Sequence, residues 1–129
     1  MKNEEIILTG VFAQLYSRLV SAAVQRVYVY YSDLSPVVFG VQFTRVSKEQ
    51  HNALWDLIAL TMRVDIEHGR PPLAALYVSR ANDTKKPSQA FFNEYMKLTG
   101  RYLTDEEWKL LVENVWKQYA PEFGGSKHD

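Results

Sequence analysis

Apolar positions recur along the chain with two different periods. Leu8, Val11, Phe12, Leu15, Leu19 and Ala22 repeat at the spacing of one helical face, which predicts a first helix over 4–24. Glu4 and Glu5 stand at its start, where negative charge suits the positive end of the helix dipole. The next segment, "RVYVYY", is β-branched and aromatic and predicts a short strand. After it, "YSDLSPVVFGV" supports two readings. Ser32 as N-cap, Asp33 in the first turn and Gly40 as terminator make a short helix over 33–39. Pro36 opposes it, and an irregular turn into a second strand at "VVFGVQF" is the alternative.

The strongest helical period follows. Ser47 and Gln50 are spaced as a capping box, in which the hydroxyl accepts from a free backbone N–H and the glutamine returns the favour. Leu54, Leu57, Ile58, Thr61, Met62 and Asp65 then fall on one line, widened by Ala53, Trp55, Leu60, Val64 and Ile66. Gly69 ends this helix and Pro71 forbids its continuation. The run "PLAALYVS" is short and apolar without alternation and is read as a buried strand over 72–79, with both prolines at its start, where a strand tolerates them. Residues 80–87 form a polar connection. A helix over 88–99 then turns Phe91, Phe92, Tyr95 and Leu98 inward and stops at Gly100. The last helix has a capping box at Thr104 and Glu107 and a hydrophobic staple between Leu103 and Trp108. Trp108, Leu111, Val112, Val115 and Tyr119 continue its inner face. Beyond Pro121, "EFGGSKHD" is expected to be disordered.

These elements predict a mostly helical α+β single domain over 1–120, with a small sheet of two or three short strands and a tail over 121–129. The length of 129 residues suits one core. Apolar residues at 47% and charged residues at 23% make disorder and coiled coil poor descriptions. The absence of cysteine removes disulfides, thiol nucleophiles and thiolate metal sites. No signal peptide or membrane span is read from the apolar positions, so a cytoplasmic protein is expected. Net charge is zero, which offers no general attraction to nucleic acid.

Candidate chemistry is sparse. His51 and His68 lie near opposite ends of one helix, about 25 Å apart at 1.5 Å per residue, and cannot share a metal. Asp65 and His68 could share a face, but two ligands are too few for zinc. Glu107, Trp108 and Lys109 match the letters of a nuclease acid-x-lysine, yet the capping box assigns Glu107 to a helix start. Ser32, Ser47 and Ser88 read as caps rather than nucleophiles, and neither a phosphate loop nor a Gly-x-Ser-x-Gly turn is present. Tyr28, Tyr30 and Tyr31 fit a packed strand better than a base-stacking platform. No catalytic residue, metal ligand or cofactor is assigned. What stands out is "SRANDTKKPS", which gathers Ser79, Arg80, Asn82, Thr84, Lys85, Lys86 and Ser88 before a helix N-terminus and could hold an anion.

Trp55, Leu57, Glu67, Gly69, Arg70, Pro71, Pro72, Leu73, Ala75, Leu76, Val78, Pro87, Phe91 and Phe92 form a block, which "YYSDL" upstream can extend, covering about half the chain. It resembles a set of small uncharacterised bacterial proteins sharing a Gly-Arg-Pro-Pro-Leu strand, a resemblance that implies no particular activity. The order of a Tyr-led short helix, a second helix and a proline-led strand is also similar to the DNA-binding domain of alkyltransferases. No cysteine follows Pro72, so alkyl transfer is excluded, and only the DNA-binding alkyltransferase-like proteins without that cysteine keep the analogy. The segment 33–39 carries none of the Lys or Arg that such a recognition face needs.

The resulting expectation is a non-catalytic bacterial or phage-type accessory binding module. Its partner would be a protein or nucleic acid, contacted through Arg45, Arg70, Arg80, Lys85 and Lys86. The alternative is an enzyme or sensor that holds a phosphorylated small molecule at 79–88. A homo-oligomer using surplus aromatic surface is a third expectation.

Overall fold

The computed structural model describes residues 2–39, 47–78 and 86–120, without the side chains of 2–9, 35 and 37–39. Helix α1 (Lys2–Gln25) leads into strand β1 (Val29–Tyr30) and helix α2 (Tyr31–Phe39); helix α3 (Lys48–Glu67) is followed by a 3-10 helix (Leu73–Leu76) and strand β2 (Tyr77–Val78). Helices α4 (Gln89–Thr99) and α5 (Asp105–Gln118) complete the described fold. The architecture is the expected mostly helical α+β domain. Its sheet is one parallel pair, with Val29 opposite Tyr77 and Tyr30 opposite Val78.

Local signals set most of the helix ends. Ser47 accepts from the Gln50 N–H at 3.1 Å while the Gln50 side chain accepts from the Ser47 N–H at 3.0 Å. The same reciprocal pair joins Thr104 and Glu107 at the start of α5. Gly69 and Gly100 adopt φ of +72° and +76°, the left-handed conformation that an L side chain resists, and so turn the chain out of α3 and α4.

Two segments depart from the sequence reading. Helix α2 begins at Tyr31, so Ser32 lies inside its first turn and is not its cap. Asp33 explains the earlier start, because its carboxylate accepts from the Tyr30 N–H at 3.4 Å. Gly40, the expected terminator, lies outside the described residues, as do "GVQF" and the tail. The second departure is 72–79, where four of the expected strand residues form the 3-10 helix and, among the described residues, Tyr77 and Val78 alone pair as strand. An apolar run without alternation does not distinguish the two conformations. Here side chains supply the partners that a neighbouring strand would otherwise give. The Leu73 N–H donates to Asp65 Oδ2 at 2.9 Å, and Trp108 Nε1 donates to the Ala75 carbonyl at 2.9 Å.

The 3-10 helix sits at the centre of the molecule. All of Leu73 to Leu76 are fully buried, and α1, α3 and α5 pack around them. On α3 the buried line is Leu54, Ile58, Thr61, Met62 and Asp65, with Leu57 at its half-buried margin. Tyr28 stacks on Trp108 with ring centres 6.2 Å apart, which ties the segment before β1 to α5.

Candidate functional site

Arg70, one of the expected contact residues, is drawn onto its own chain by Asp65. That carboxylate is completely buried. Its Oδ1 accepts from the Tyr16 hydroxyl, from Arg70 Nε at 3.3 Å and from Arg70 Nη2 at 3.2 Å, while Oδ2 takes the Leu73 N–H. Arg70 Nη2 also donates to the Tyr16 oxygen at 3.1 Å, and the Arg70 N–H donates to the Asp65 carbonyl at 2.8 Å. A buried charge needs such a set of donors, since an isolated carboxylate away from water is very costly. Burial, and then the hydrogen bond to Asp65, push the Tyr16 phenol up to about 12, with Arg70 opposing the rise. Tyr119, just past α5, stands beside the same groups, its phenol raised mainly by burial and then by the Asp65 charge.

Lys86 and Ser88 are placed elsewhere. Lys86 Nζ lies 2.9 Å from Asp105 Oδ2, at the first residue of α5. The Ser88 N–H donates to the Tyr31 hydroxyl at 2.8 Å, and the Ser88 side chain, although at the N-cap position of α4, makes no capping bond. Arg45, Ser79, Arg80, Asn82, Thr84 and Lys85 lie outside the described residues. Arg70 neighbours Tyr119 at one end of α5 and Lys86 meets Asp105 at the other. The 14 residues of that helix separate them by roughly 20 Å. The two described cations therefore do not converge on one anion.

A different surface combines Lys86 and Phe92 with side chains that the sequence reading assigned no binding role. A cleft of about 410 Å³ opens between the start of α4 and the start of α5, bounded by Lys86, Phe92, Tyr102, Asp105 and Glu106 among others. Phe92 is buried beneath it, while Tyr102 is 63% exposed. Met96, one turn beyond Phe92 on α4, is 50% exposed, and Leu110, one turn beyond Glu106 on α5, is 65% exposed. These three are most of the exposed large apolar residues among the described ones; the others are Val24 and Val27 near the end of α1. A signal for Leu110 exists in the sequence. The inner face 108, 111, 112, 115 leaves position 110 on the solvent side, an unusual place for a leucine.

No group of three or more His, Cys, Asp or Glu side chains able to hold one metal ion occurs among the described residues. His51 and His68 are both exposed, and His68 Nδ1 is 2.8 Å from the Val64 carbonyl. Comparisons with protein-family models, with curated proteins and with solved structures find no match to the chain.

Proposed function

We propose that this chain is a non-catalytic binding module and that its partner is a protein, docked on the α4–α5 face. The observation that carries the reading is the cleft walled by exposed Tyr102 over buried Phe92, with exposed Met96 and Leu110 each one helical turn beyond a residue of its lining, Phe92 and Glu106. Exposed apolar side chains rimmed by polar ones are the usual make-up of a protein interface, with aromatic anchors near its centre. The rim carries both signs, Lys86 and Lys109 beside Asp105 and Glu106. A single-sign stripe, which a phosphate backbone would require, is not what these residues make. Arg70 and Lys86, two of the cations expected to meet nucleic acid, already face carboxylates of their own chain. The partner should thus offer an apolar anchor side chain flanked by charges of either sign.

A displayed random-peptide library selected against the full chain tests this. Enriched peptides should share an apolar anchor, bind with little change between low and high salt, and lose about tenfold or more in affinity, about 1.4 kcal/mol, on Leu110→Ser or Tyr102→Ser. Selected peptides indifferent to both substitutions would overturn the reading. So would tight oligonucleotide binding that falls steeply with salt, or a dimer in sedimentation that Leu110→Ser dissociates, since the face would then belong to a second copy.

A further inference from the structure

On the opposite side of the first turn of α4 lies a second cleft, and its chemistry is different. Phe92 and Gln89 face the α4–α5 cleft; Ser88 and Ala90 face this one. Its volume is about 300 Å³, and three elements each supply an aromatic wall: Tyr31 from α2, Trp55 from α3 and Tyr77 from β2. His51 and Asn52, one turn before Trp55 on the same side of α3, and Ser88 place polar atoms at its edge.

We infer that this cleft is a small-molecule site for a neutral, planar aromatic ring bearing hydrogen-bonding groups at its edge. The size sets the first limit, because about 300 Å³ is the low end for ligand pockets and admits a ring system rather than a large metabolite. The walls set the second. Tyr31 and Tyr77 have ring centres 4.4 Å apart at a tilt of 41°, a close aromatic pair against which a third ring can pack, and aromatic pairs gain more than their buried area alone. The described residues of the lining include neither Lys nor Arg nor a carboxylate, and a neutral ring is the ligand that these residues suit. The site is also preformed. The Ser88 N–H holds the Tyr31 hydroxyl at 2.8 Å, and Tyr77 is buried against the core, so little ordering is left for a ligand to impose. Ser88 makes no capping bond at α4, which leaves its hydroxyl able to turn towards a ligand edge. The inference does not depend on the protein-docking face, whose residues lie on the other side of α4.

Phenol and cyclohexanol form a matched test, having the same size and hydroxyl but differing in aromaticity. In titrations of the full chain followed by amide and indole N–H resonances, phenol and indole should saturably shift Trp55, Asn52 and Ala90. Cyclohexanol should bind about tenfold more weakly, in line with the extra attraction of aromatic pairs. Benzamide should bind better than benzoate. Trp55→Leu should reduce phenol to the level of cyclohexanol with the remaining resonances unmoved. If that variant does not fold, Asn52→Ala at an exposed position should weaken benzamide by about twofold to tenfold, the range of one neutral hydrogen bond. Equal binding of phenol and cyclohexanol, tighter binding of benzoate, or no saturable shift at the cleft would each overturn the inference.

Discussion

Asp65 shows how one residue can organise several segments. Placed on the buried line of α3, it is reached by a tyrosine 49 positions earlier, an arginine five positions later and a backbone N–H eight positions later. Asp65→Asn keeps the size but loses the charge and one acceptor, so Arg70 is left without its counterion. A loss of about 2–4 kcal/mol is expected, seen as a lower urea midpoint with an unchanged slope. Tyr16 gives the same cluster a pH signature. Its folded pKa of about 12 lies above the ordinary value of 10.0, so its contribution is complete below pH 10 and is lost as pH rises from 10 to 12. Tyr16→Phe should be less stable than the parent chain at pH 8, and the gap between them should narrow across that alkaline window. Part of this was legible beforehand, since a carboxylate on an otherwise apolar helical line demands a partner. Which partner it finds depends on the turn at Gly69, and Arg70 was read instead as a contact for a ligand.

At the scale of elements, what lies within a few residues was legible and what lies across the fold was not. Both capping boxes and both glycine terminators are formed by neighbours in the chain, and the sequence spacing is enough to place them. Thr104→Ala should cost about 1 kcal/mol by removing the hydroxyl that accepts from Glu107 N–H at 3.1 Å. The Thr104 backbone N–H also holds the Glu107 carboxyl below the usual range, so the cap should persist above the ordinary carboxylate pKa and fade as pH falls through the lowered one. Chemical denaturation of wild type and Glu107→Gln, which has no carboxyl to titrate, should therefore show a difference that shrinks in acid. The residues 73–76 are the counter-example. Their conformation is decided by Asp65 and Trp108, eight and 33 positions away from the backbone groups they bind. No local pattern encodes that.

For the whole molecule, fold class and most of the core followed from periodicity: the inward lines expected for α3, α4 and α5 are found buried or packed against the core, whereas Ala53, expected to widen the apolar face of α3, is exposed. None of the helices among the described residues is long and apolar enough to cross a membrane. The candidate surfaces were harder to read, because a cleft is made where elements from distant parts of the chain meet. Tyr31, Trp55 and Tyr77 belong to three different elements, and the packing of α2 on α3 and the pairing of β1 with β2 bring their rings to one cleft. Exposure also separates stability from binding. Tyr102→Ser and Leu110→Ser should leave the urea midpoint within about 0.5 kcal/mol of wild type, since neither side chain is part of the core. A larger loss would mean that the α4–α5 face is held by the chain itself.

The Leu73 amide hydrogen is aimed at a carboxylate oxygen in the interior, on a fully buried segment packed by α1, α3 and α5. Its exchange with heavy water should require global opening, placing it among the slowest protons in the protein together with those of the β1–β2 pair. Because its acceptor is a side chain, this proton times the release of Asp65 itself. In Tyr16→Phe it should exchange faster by the factor that the equilibrium stability has lost, making one backbone position a clock for the integrity of the buried charge.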